Sequence, residues 1–222
     1  IHDVALQKLP VIFAIDRAGA VPYDGETHQG LYDICFLRSI PNMTILAPAS
    51  AAEMHSMLQW ALGHTVPTAI RYPKNTCAPD SPAFSLPLET GRGVFALQAD
   101  NAGVLLVCTG GMYLETAAAA EILREKSVIA DIYNLRFLKP VDESFFLDKI
   151  QTYRAILFIE DGSASGGVGS SLETLVQKHC SDIKTSVCAF PDEIFLQGSR
   201  YDILKAAGLT AEQLADAALK LL

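Results

Sequence analysis

The second half of the chain alternates between short, continuously apolar runs and longer segments with helical spacing. VLLVC at 104–108 and AILFI at 155–159 are typical of strands buried on both faces, and the segment 113–126 between them has the apolar periodicity of a helix. Because such strands need helices packed on both sides of the sheet, the pattern predicts a parallel sheet in an α/β fold. The elements predicted for this half are strands at 104–108, 128–135, 155–160 and 185–190, and helices at 113–126, 142–151, 169–180, 201–207 and 210–222.

The first half has a less regular pattern, and a proline-containing segment separates it from the second. Its predicted elements are strands at 11–16, 40–48 and 67–73, a loop at 20–33, a short helix at 34–38, and an amphipathic helix at 51–62 with Ser50 as its N-cap. Prolines interrupt any periodicity between 74 and 93, which indicates a linker. We therefore expect a first domain at 1–75, a linker at 76–93 and a second domain at 94–222.

Composition limits the classes of partner. The net charge is −8 at pH 7, so neither nucleic acid nor an anionic membrane is an expected partner. The longest apolar runs are far shorter than the roughly 20 residues of a membrane span. Five scattered cysteines without a CxxC pair predict reduced, buried thiols rather than disulfides or zinc ligands, and the spacing of the histidines predicts no metal site.

The chain begins with Ile1 rather than Met, and residues 1–9 have the apolar spacing of a helix already under way. No basic stretch followed by a longer apolar run is present there, so the pattern is not that of a signal peptide. A truncated or processed chain is the expectation.

The loop after the first strand concentrates groups that could bind a ligand. Arg17 offers a fork of donors, Asp24 an acceptor and His28 a titratable imidazole, and glycines between them permit close approach of the backbone. Composition alone favours a solvated turn in which the arginine and the aspartate pair and the histidine caps a neighbouring element. The order of motifs in this region favours the functional one.

Three linked motifs carry a resemblance to a known family. DRAG at 16–19, DGETHQG at 24–30 and LRSIPNM at 37–43 follow one another in the order and spacing of the pyrimidine-binding domain of the deoxyxylulose-phosphate synthases. RYP at 71–73, TGG at 109–111, GGVGS at 166–170 and QGSRYDILKAAGLT at 197–210 extend the similarity over essentially the whole chain. The resemblance implies part of a transketolase-like pyrimidine-binding domain followed by a parallel-sheet transketolase C-terminal domain. It also assigns GGVGS a structural place at a subunit interface rather than a phosphate site.

The resemblance further implies roles for individual residues. Arg17 would bind the phosphate of an acceptor aldehyde, Asp24 its hydroxyls, and His28 would hydrogen-bond the reacting oxygen as the catalytic residue. Family members have an arginine where this chain has Lys74. Lysine keeps the charge but loses the bidentate geometry, so Lys74 is either a weaker second phosphate ligand or a solvated linker residue.

The activity implied is the condensation of pyruvate with D-glyceraldehyde 3-phosphate, with loss of CO₂, to 1-deoxy-D-xylulose 5-phosphate. This product leads to isoprenoids, thiamine and pyridoxal. Thiamine diphosphate and Mg²⁺ are the implied cofactors of the complete enzyme, but the GDG motif and the activating glutamate of the family are not in this chain. No cofactor-binding residue is assigned here, and most of them are expected upstream of Ile1.

This chain alone is therefore expected to bind no cofactor and to be inactive. We expect it to associate with the missing N-terminal part or to form a homodimer, in a bacterial cytoplasm or a plastid. Two alternatives stay open. One is a transketolase C-terminal half or the β subunit of a 2-oxoacid dehydrogenase, and the other is a non-catalytic truncation that dimerises or binds a phosphosugar.

Overall fold

A computed structural model describes all 222 residues and contains two sheets. The first sheet holds β1 (Ile12–Ile15), β2 (Thr44–Leu46) and β3 (Thr68–Arg71), with β3 in the middle and parallel to both neighbours. α1 (Asp33–Arg38) and α2 (Ala51–Leu62) lie between these strands in the chain. The predicted N-cap of α2 is confirmed, because the Ser50 hydroxyl accepts a hydrogen bond from the Glu53 amide at 3.2 Å.

The second sheet is the predicted parallel sheet with one antiparallel edge. Its order is β4-β6-β5-β8-β9, and only β4 runs antiparallel to its neighbour. The strands are β4 (Val94–Leu97), β5 (Val104–Cys108), β6 (Ala130–Asn134), β8 (Ala155–Ser163) and β9 (Lys184–Phe190). The helices of this half are α3 (Tyr113–Glu125), α4 (Glu143–Lys149), α5 (Val168–His179), α6 (Arg200–Ala207) and α7 (Ala211–Leu219). Every residue of β5 and β8 is buried, as the apolar runs at 104–108 and 155–159 predict, and in β8 the burial continues through Glu160, Asp161 and Ser163.

The two halves share both a strand and a core. β7 (Phe137–Lys139) comes from the second half of the chain, yet it pairs antiparallel with β2 and completes the first sheet. One buried cluster joins Ile34, Ile45 and Ala69 of the first half to Leu105, Ile156 and Phe158 of the second. The boundaries at 75 and 93 stay a prediction, but the halves are packed together rather than merely tethered.

The expected linker is fastened to the domains on either side. Phe84, in a short 3₁₀ turn at Pro82–Ser85, is fully buried beside Ala49 and Val94. The buried Arg136 guanidinium donates hydrogen bonds to the carbonyl oxygens of Ala83, Leu86 and Pro87. The segment therefore has a fixed course over the surface.

Two expectations about local structure are wrong. The expected helix at the start of the chain is a series of turns over residues 2–8, and Lys8 has φ of 55° just before Pro10. Of the five cysteines, all of them unpaired, only Cys108 is buried, whereas Cys77 is exposed and the other three are partly exposed.

No helix in the structure is both long enough and apolar enough to cross a bilayer.

Candidate active site on the loop after the first strand

The loop that follows β1 is closed by its own backbone. Gly19 and Gly30 exchange two backbone hydrogen bonds, at 2.8 and 3.0 Å, and the Ala18 amide donates to the Tyr72 carbonyl oxygen after β3. A Cβ atom at position 30 would lie 1.8 Å from the Arg17 carbonyl oxygen, so only glycine fits there. This close approach places the two ends of the loop beside Arg17.

Gln29 fixes the inside of the loop. Its side-chain oxygen accepts a hydrogen bond from the Val21 amide at 2.8 Å, and its side-chain nitrogen donates to the carbonyl oxygens of Val21 and Gly25. These three bonds to the backbone hold residues 21–25 in one conformation. The sequence did not single out Gln29 beyond its place in the DGETHQG motif.

Three of the predicted substrate residues come together at the surface of this loop. Asp24 accepts from Arg17 Nε at 3.1 Å and from Lys74 Nζ at 2.7 Å to each of its carboxylate oxygens. The hydrogen bond from Lys74, followed by that from Arg17, holds the pKa of Asp24 below its usual value. Lys74 is paired with Asp24 while 47% of its side chain is exposed, and its role as a second phosphate ligand stays a prediction.

The charges of this cluster balance. Arg17 also pairs with Asp16 at 2.5 Å, so two cations face two carboxylates. The hydrogen bond to Asp24 raises the pKa of Arg17, with the charge of Asp16 as the second cause. An incoming anion would meet Arg17 and Lys74 already engaged, and it would have to draw their donors away from the carboxylates.

His28 lies on the same loop but has no hydrogen bond to the other three residues. It is exposed, in a short 3₁₀ turn at Glu26–His28, and its Nδ1 lies 2.9 Å from the Thr27 hydroxyl. Its Nε2 has no protein hydrogen-bond partner. The structure thus brings Arg17, Asp24 and Lys74 together and leaves His28 facing solvent nearby.

A network of buried ion pairs beside the loop joins the two halves of the chain. Arg71 is 1% exposed and donates to Asp33 at 2.7 Å and to Asp161 at 2.6 Å. Thr109 donates to the same Asp161 oxygen at 2.7 Å. Burial acts to raise the pKa of Asp161, but the charge of Arg71 and these hydrogen bonds outweigh it and hold the pKa below its usual value. Arg71 and Asp33 belong to the first half of the chain and Asp161 to the second.

The GGVGS segment has a protein group where a phosphate would bind. The Gly169 amide, at the start of α5, donates to Glu160 Oε2 at 2.8 Å. Arg38 of α1 donates to the carbonyl oxygens of Gly166 and Gly167. These contacts support the structural interpretation of the segment, because Glu160 already occupies the helix N-terminus.

The residues of this chain do not fit a magnesium site. No group of three or more His, Cys, Asp or Glu side chains is placed to hold a metal ion.

Family models match nearly the whole chain. The transketolase C-terminal domain matches residues 93–214, more than half of the chain, and the transketolase pyrimidine-binding domain matches residues 1–79. The chain belongs to the transketolase family. The positions of the two models agree with the resemblance found from the motifs and confirm the predicted α/β fold.

Within the transketolase family, relatives that are similar to this chain include 1-deoxy-D-xylulose-5-phosphate synthases. That of Treponema pallidum (strain Nichols) is 53% identical over 97% of this chain, and that of Desulfotalea psychrophila is 40% identical over all of it. The chain spans about a third of the length of these relatives, 34% and 35% respectively.

Solved structures give the same fold. A structure titled split gene transketolase, inactive beta4 tetramer, superimposes with a TM-score of 0.86 at 25% identity and covers 99% of this chain and 69% of its own. The transketolase of Campylobacter jejuni has a TM-score of 0.74 at 16% identity, covers 94% of this chain and 31% of its own, and supports the fold alone.

Sequence reasoning missed one group of residues at the site of this transketolase-family chain. Gln197, Gly198 and Arg200 of the second half contact the loop through Tyr23 and Ala20. The motif QGSRYDILKAAGLT contains them, but nothing in it shows that it lies against a loop more than 170 residues earlier in the chain. Only the fold reveals that contact.

Proposed function

We propose that this chain is the acceptor-side part of a 1-deoxy-D-xylulose-5-phosphate synthase. The complete enzyme would condense pyruvate with D-glyceraldehyde 3-phosphate and release CO₂. The observation that carries the proposal is the cluster of Arg17, Asp24 and Lys74 on a rigid loop, in a chain 53% identical to such a synthase. The same similarity supports a place in isoprenoid precursor synthesis.

Each loop residue has a role that its chemistry supports. Arg17 and Lys74 would exchange Asp24 for the phosphate of the acceptor, since a guanidinium and an ammonium both bind phosphate strongly. Asp24, released from one or both cations, is then free to accept hydrogen bonds from the acceptor hydroxyls. His28 would donate to the carbonyl oxygen on which negative charge develops, because its Nε2 has no competing protein partner.

The cofactor would be held mainly by residues outside this chain. When bound, thiamine diphosphate supplies the electron sink that lets pyruvate lose CO₂ and act as a nucleophile. The residues of this chain would position the aldehyde, place a phosphate-binding group at its far end and provide a proton at its oxygen. We therefore propose that the 222 residues alone are inactive, and that the complete bacterial enzyme works in the cytoplasm as a homodimer.

Sequence similarity favours the synthase over a transketolase. The identity is 53% to a synthase but 25% to the split-gene transketolase, and the three linked loop motifs belong to the synthase pattern. A non-catalytic phosphosugar-binding chain would not need His28 with a free ring nitrogen beside the cluster.

The complete gene product that contains this chain tests the proposal. With thiamine diphosphate and Mg²⁺, it should convert pyruvate and glyceraldehyde 3-phosphate to deoxyxylulose 5-phosphate, followed by ¹³C NMR. Transfer of a ketol group from a ketose phosphate, without use of pyruvate, would instead indicate a transketolase.

Variants test the residue roles in the same enzyme. Arg17→Ala should raise KM for glyceraldehyde 3-phosphate at least tenfold but change KM for unphosphorylated D-glyceraldehyde less than twofold, because it removes a phosphate ligand. Arg124→Ala, which loses an exposed pair with Glu121 on α3, is the matched control and should leave both values unchanged. An equal effect of Arg17→Ala on the two aldehydes would contradict the phosphate role.

A further inference from the structure

The residue before Asp24 has an unfavourable backbone conformation. Tyr23 has φ of 67°, in the left-handed region that side chains with a Cβ atom rarely adopt. Its side chain is 68% exposed, so packing of the ring does not hold it there. Such a conformation persists only where surrounding contacts fix it.

The contacts that fix Tyr23 come from the other half of the chain. The Tyr23 amide donates to the Gly198 carbonyl oxygen at 3.0 Å, and the Tyr23 carbonyl oxygen accepts from Gln197 Nε2 at 2.9 Å. The backbone N–H and C=O of Tyr23 are therefore both held, by the consecutive residues Gly198 and Gln197. Asp24, the next residue, places its carboxylate between Arg17 and Lys74.

The segment that holds Tyr23 is itself anchored at both ends. On one side, Phe195 is buried against Phe190, with ring centroids 5.1 Å apart, in the same apolar cluster as Ala20 of the loop. On the other side, Ser199 caps α6 in a reciprocal pair of hydrogen bonds with Asp202. Residues 197 and 198 thus lie between a buried aromatic anchor and a fixed helix start.

Arg200 adds a third anchor that reaches both halves. Its side chain is 10% exposed, donates to the Gly111 carbonyl oxygen at 2.8 Å and to Glu115 at 3.1 Å, and approaches the Ala20 carbonyl oxygen at 3.4 Å. Residues 195–200 are therefore anchored at three points and lie directly against residues 20–23.

We propose that Gln197 is a positioning residue for the acceptor site, which acts through Tyr23 to orient Asp24. The inference rests on the proposed function, and it assigns part of the acceptor specificity to the second half of the chain. Without the Gln197 bond, Tyr23 relaxes toward negative φ and Asp24 turns away from Arg17 and Lys74. The acceptor then meets a cluster in which Asp24 is misplaced. Pyruvate does not contact this cluster, so its binding should not change.

The test uses Gln197→Glu in the complete enzyme, because glutamate keeps the size of the side chain but removes the N–H donor. We expect KM for glyceraldehyde 3-phosphate to rise about fivefold, with KM for pyruvate and kcat within twofold. Asp24→Ala combined with Gln197→Glu should be no worse than Asp24→Ala alone, since both act on the same carboxylate. Gln177→Glu, at an exposed position on α5 where the side chain bonds only Thr185, is the matched control and should behave as wild type.

A second measurement does not depend on activity. Hydrogen exchange of the Tyr23 amide should become at least fivefold faster in Gln197→Glu, because its partner Gly198 is no longer held against it, while the amides of β5 keep their protection. Unchanged Tyr23 exchange and an unchanged KM for the acceptor would overturn the inference. Failure of the wild-type enzyme to use pyruvate and glyceraldehyde 3-phosphate would instead refute the proposed function, and the exchange result would still decide whether Gln197 positions the loop.

Discussion

Glu160 is a buried carboxyl group, and only one of its two oxygens has a hydrogen-bond partner. It is 1% exposed, and although Oε2 accepts from the Gly169 amide, Oε1 has no hydrogen-bond partner. Burial raises its pKa to about 7, against the opposing effects of the α5 amides and the charge of Arg71, while the neighbouring Asp161 acts in the same direction as burial. Arg38 of α1 is the other charge that faces it.

The raised pKa of Glu160 makes stability depend on pH. Between its ordinary value of about 4.5 and about 7, the folded chain keeps a proton that the unfolded chain releases, so this group lowers the free energy of unfolding as the pH rises through that window. The shift corresponds to about 3 kcal/mol. We expect Glu160→Gln to lack this loss, so that its stability relative to wild type increases by an amount of that order from pH 4.5 to 7.

Urea unfolding across that pH range measures the effect. Glu125→Gln, at an exposed position on α3, is the control and should follow the wild-type pH dependence. A constant difference between Glu160→Gln and wild type at all pH values would show that the pKa of Glu160 is not raised in the folded chain.

At the scale of single elements, two helices end at glycines with opposite requirements. Gly208, after α6, has φ of 76°, and a Cβ atom there would meet nothing within 4 Å. Gly63, after α2, has φ of −84°, and a Cβ atom there would make only ordinary contacts. The two positions therefore separate backbone strain from steric clash.

We expect Gly208→Ala to lower the free energy of unfolding by about 1 kcal/mol, because alanine pays the left-handed strain without gaining a contact. Gly63→Ala should be neutral or stabilise by up to about 1 kcal/mol, since it reduces the freedom of the unfolded chain at a conformation alanine accepts. Thermal and urea unfolding of the two variants provide the comparison. Equal effects at the two positions would show that φ is not the deciding difference.

Elements with a strong local signal could be predicted from the sequence, whereas those defined by distant partners could not. β5 and the first five residues of β8 are continuously apolar and were expected, but β7 has only the three residues FLK and exists because β2, some 90 residues earlier, offers an edge. The strand expected at 40–48 is only Thr44–Leu46, since Asn42 has φ of 64° and turns the chain before it. The apolar spacing of residues 1–9 resembled a helix, but their backbone bonds close turns instead.

The candidate site divides in the same way. Arg17, Asp24 and His28 stand in linked motifs close together in the chain, so they could be proposed from sequence. Whether Lys74 joins them depends on the fold, because β3 must lie beside β1 before Lys74 can reach Asp24. The support from Gln197 depends on an even longer-range contact.

At the scale of the whole molecule, we expect the two halves to unfold as one unit. β7 crosses into the first sheet, one apolar cluster includes residues of both halves, and the buried Arg71 joins Asp33 to Asp161. Separation of the halves would expose that cluster and leave carboxylates without their partner. A half that unfolded alone would lose these shared contacts in addition to its own core, so a single cooperative transition is expected.

Two probes follow the halves separately during urea unfolding. Trp60, the only tryptophan, stacks on His64 and packs against Phe137, so its fluorescence reports the first sheet. Hydrogen exchange of β5 and β8, followed by mass spectrometry, reports the second. The two should show the same midpoint in wild type, and a lower midpoint for Trp60 alone would mean that the halves unfold independently.

Arg71→Met sharpens the same prediction, because it removes the cation and leaves Asp33 and Asp161 buried without compensation. Loss of one partner from a buried ion pair costs about 3 to 5 kcal/mol, whereas Arg124→Met, at an exposed pair, should cost less than about 1 kcal/mol. If Arg71 couples the halves, both probes should shift to lower urea together in Arg71→Met. A shift of the Trp60 midpoint with β5 and β8 unchanged would place the energetic role of Arg71 within the first sheet alone, although its partner Asp161 lies in β8.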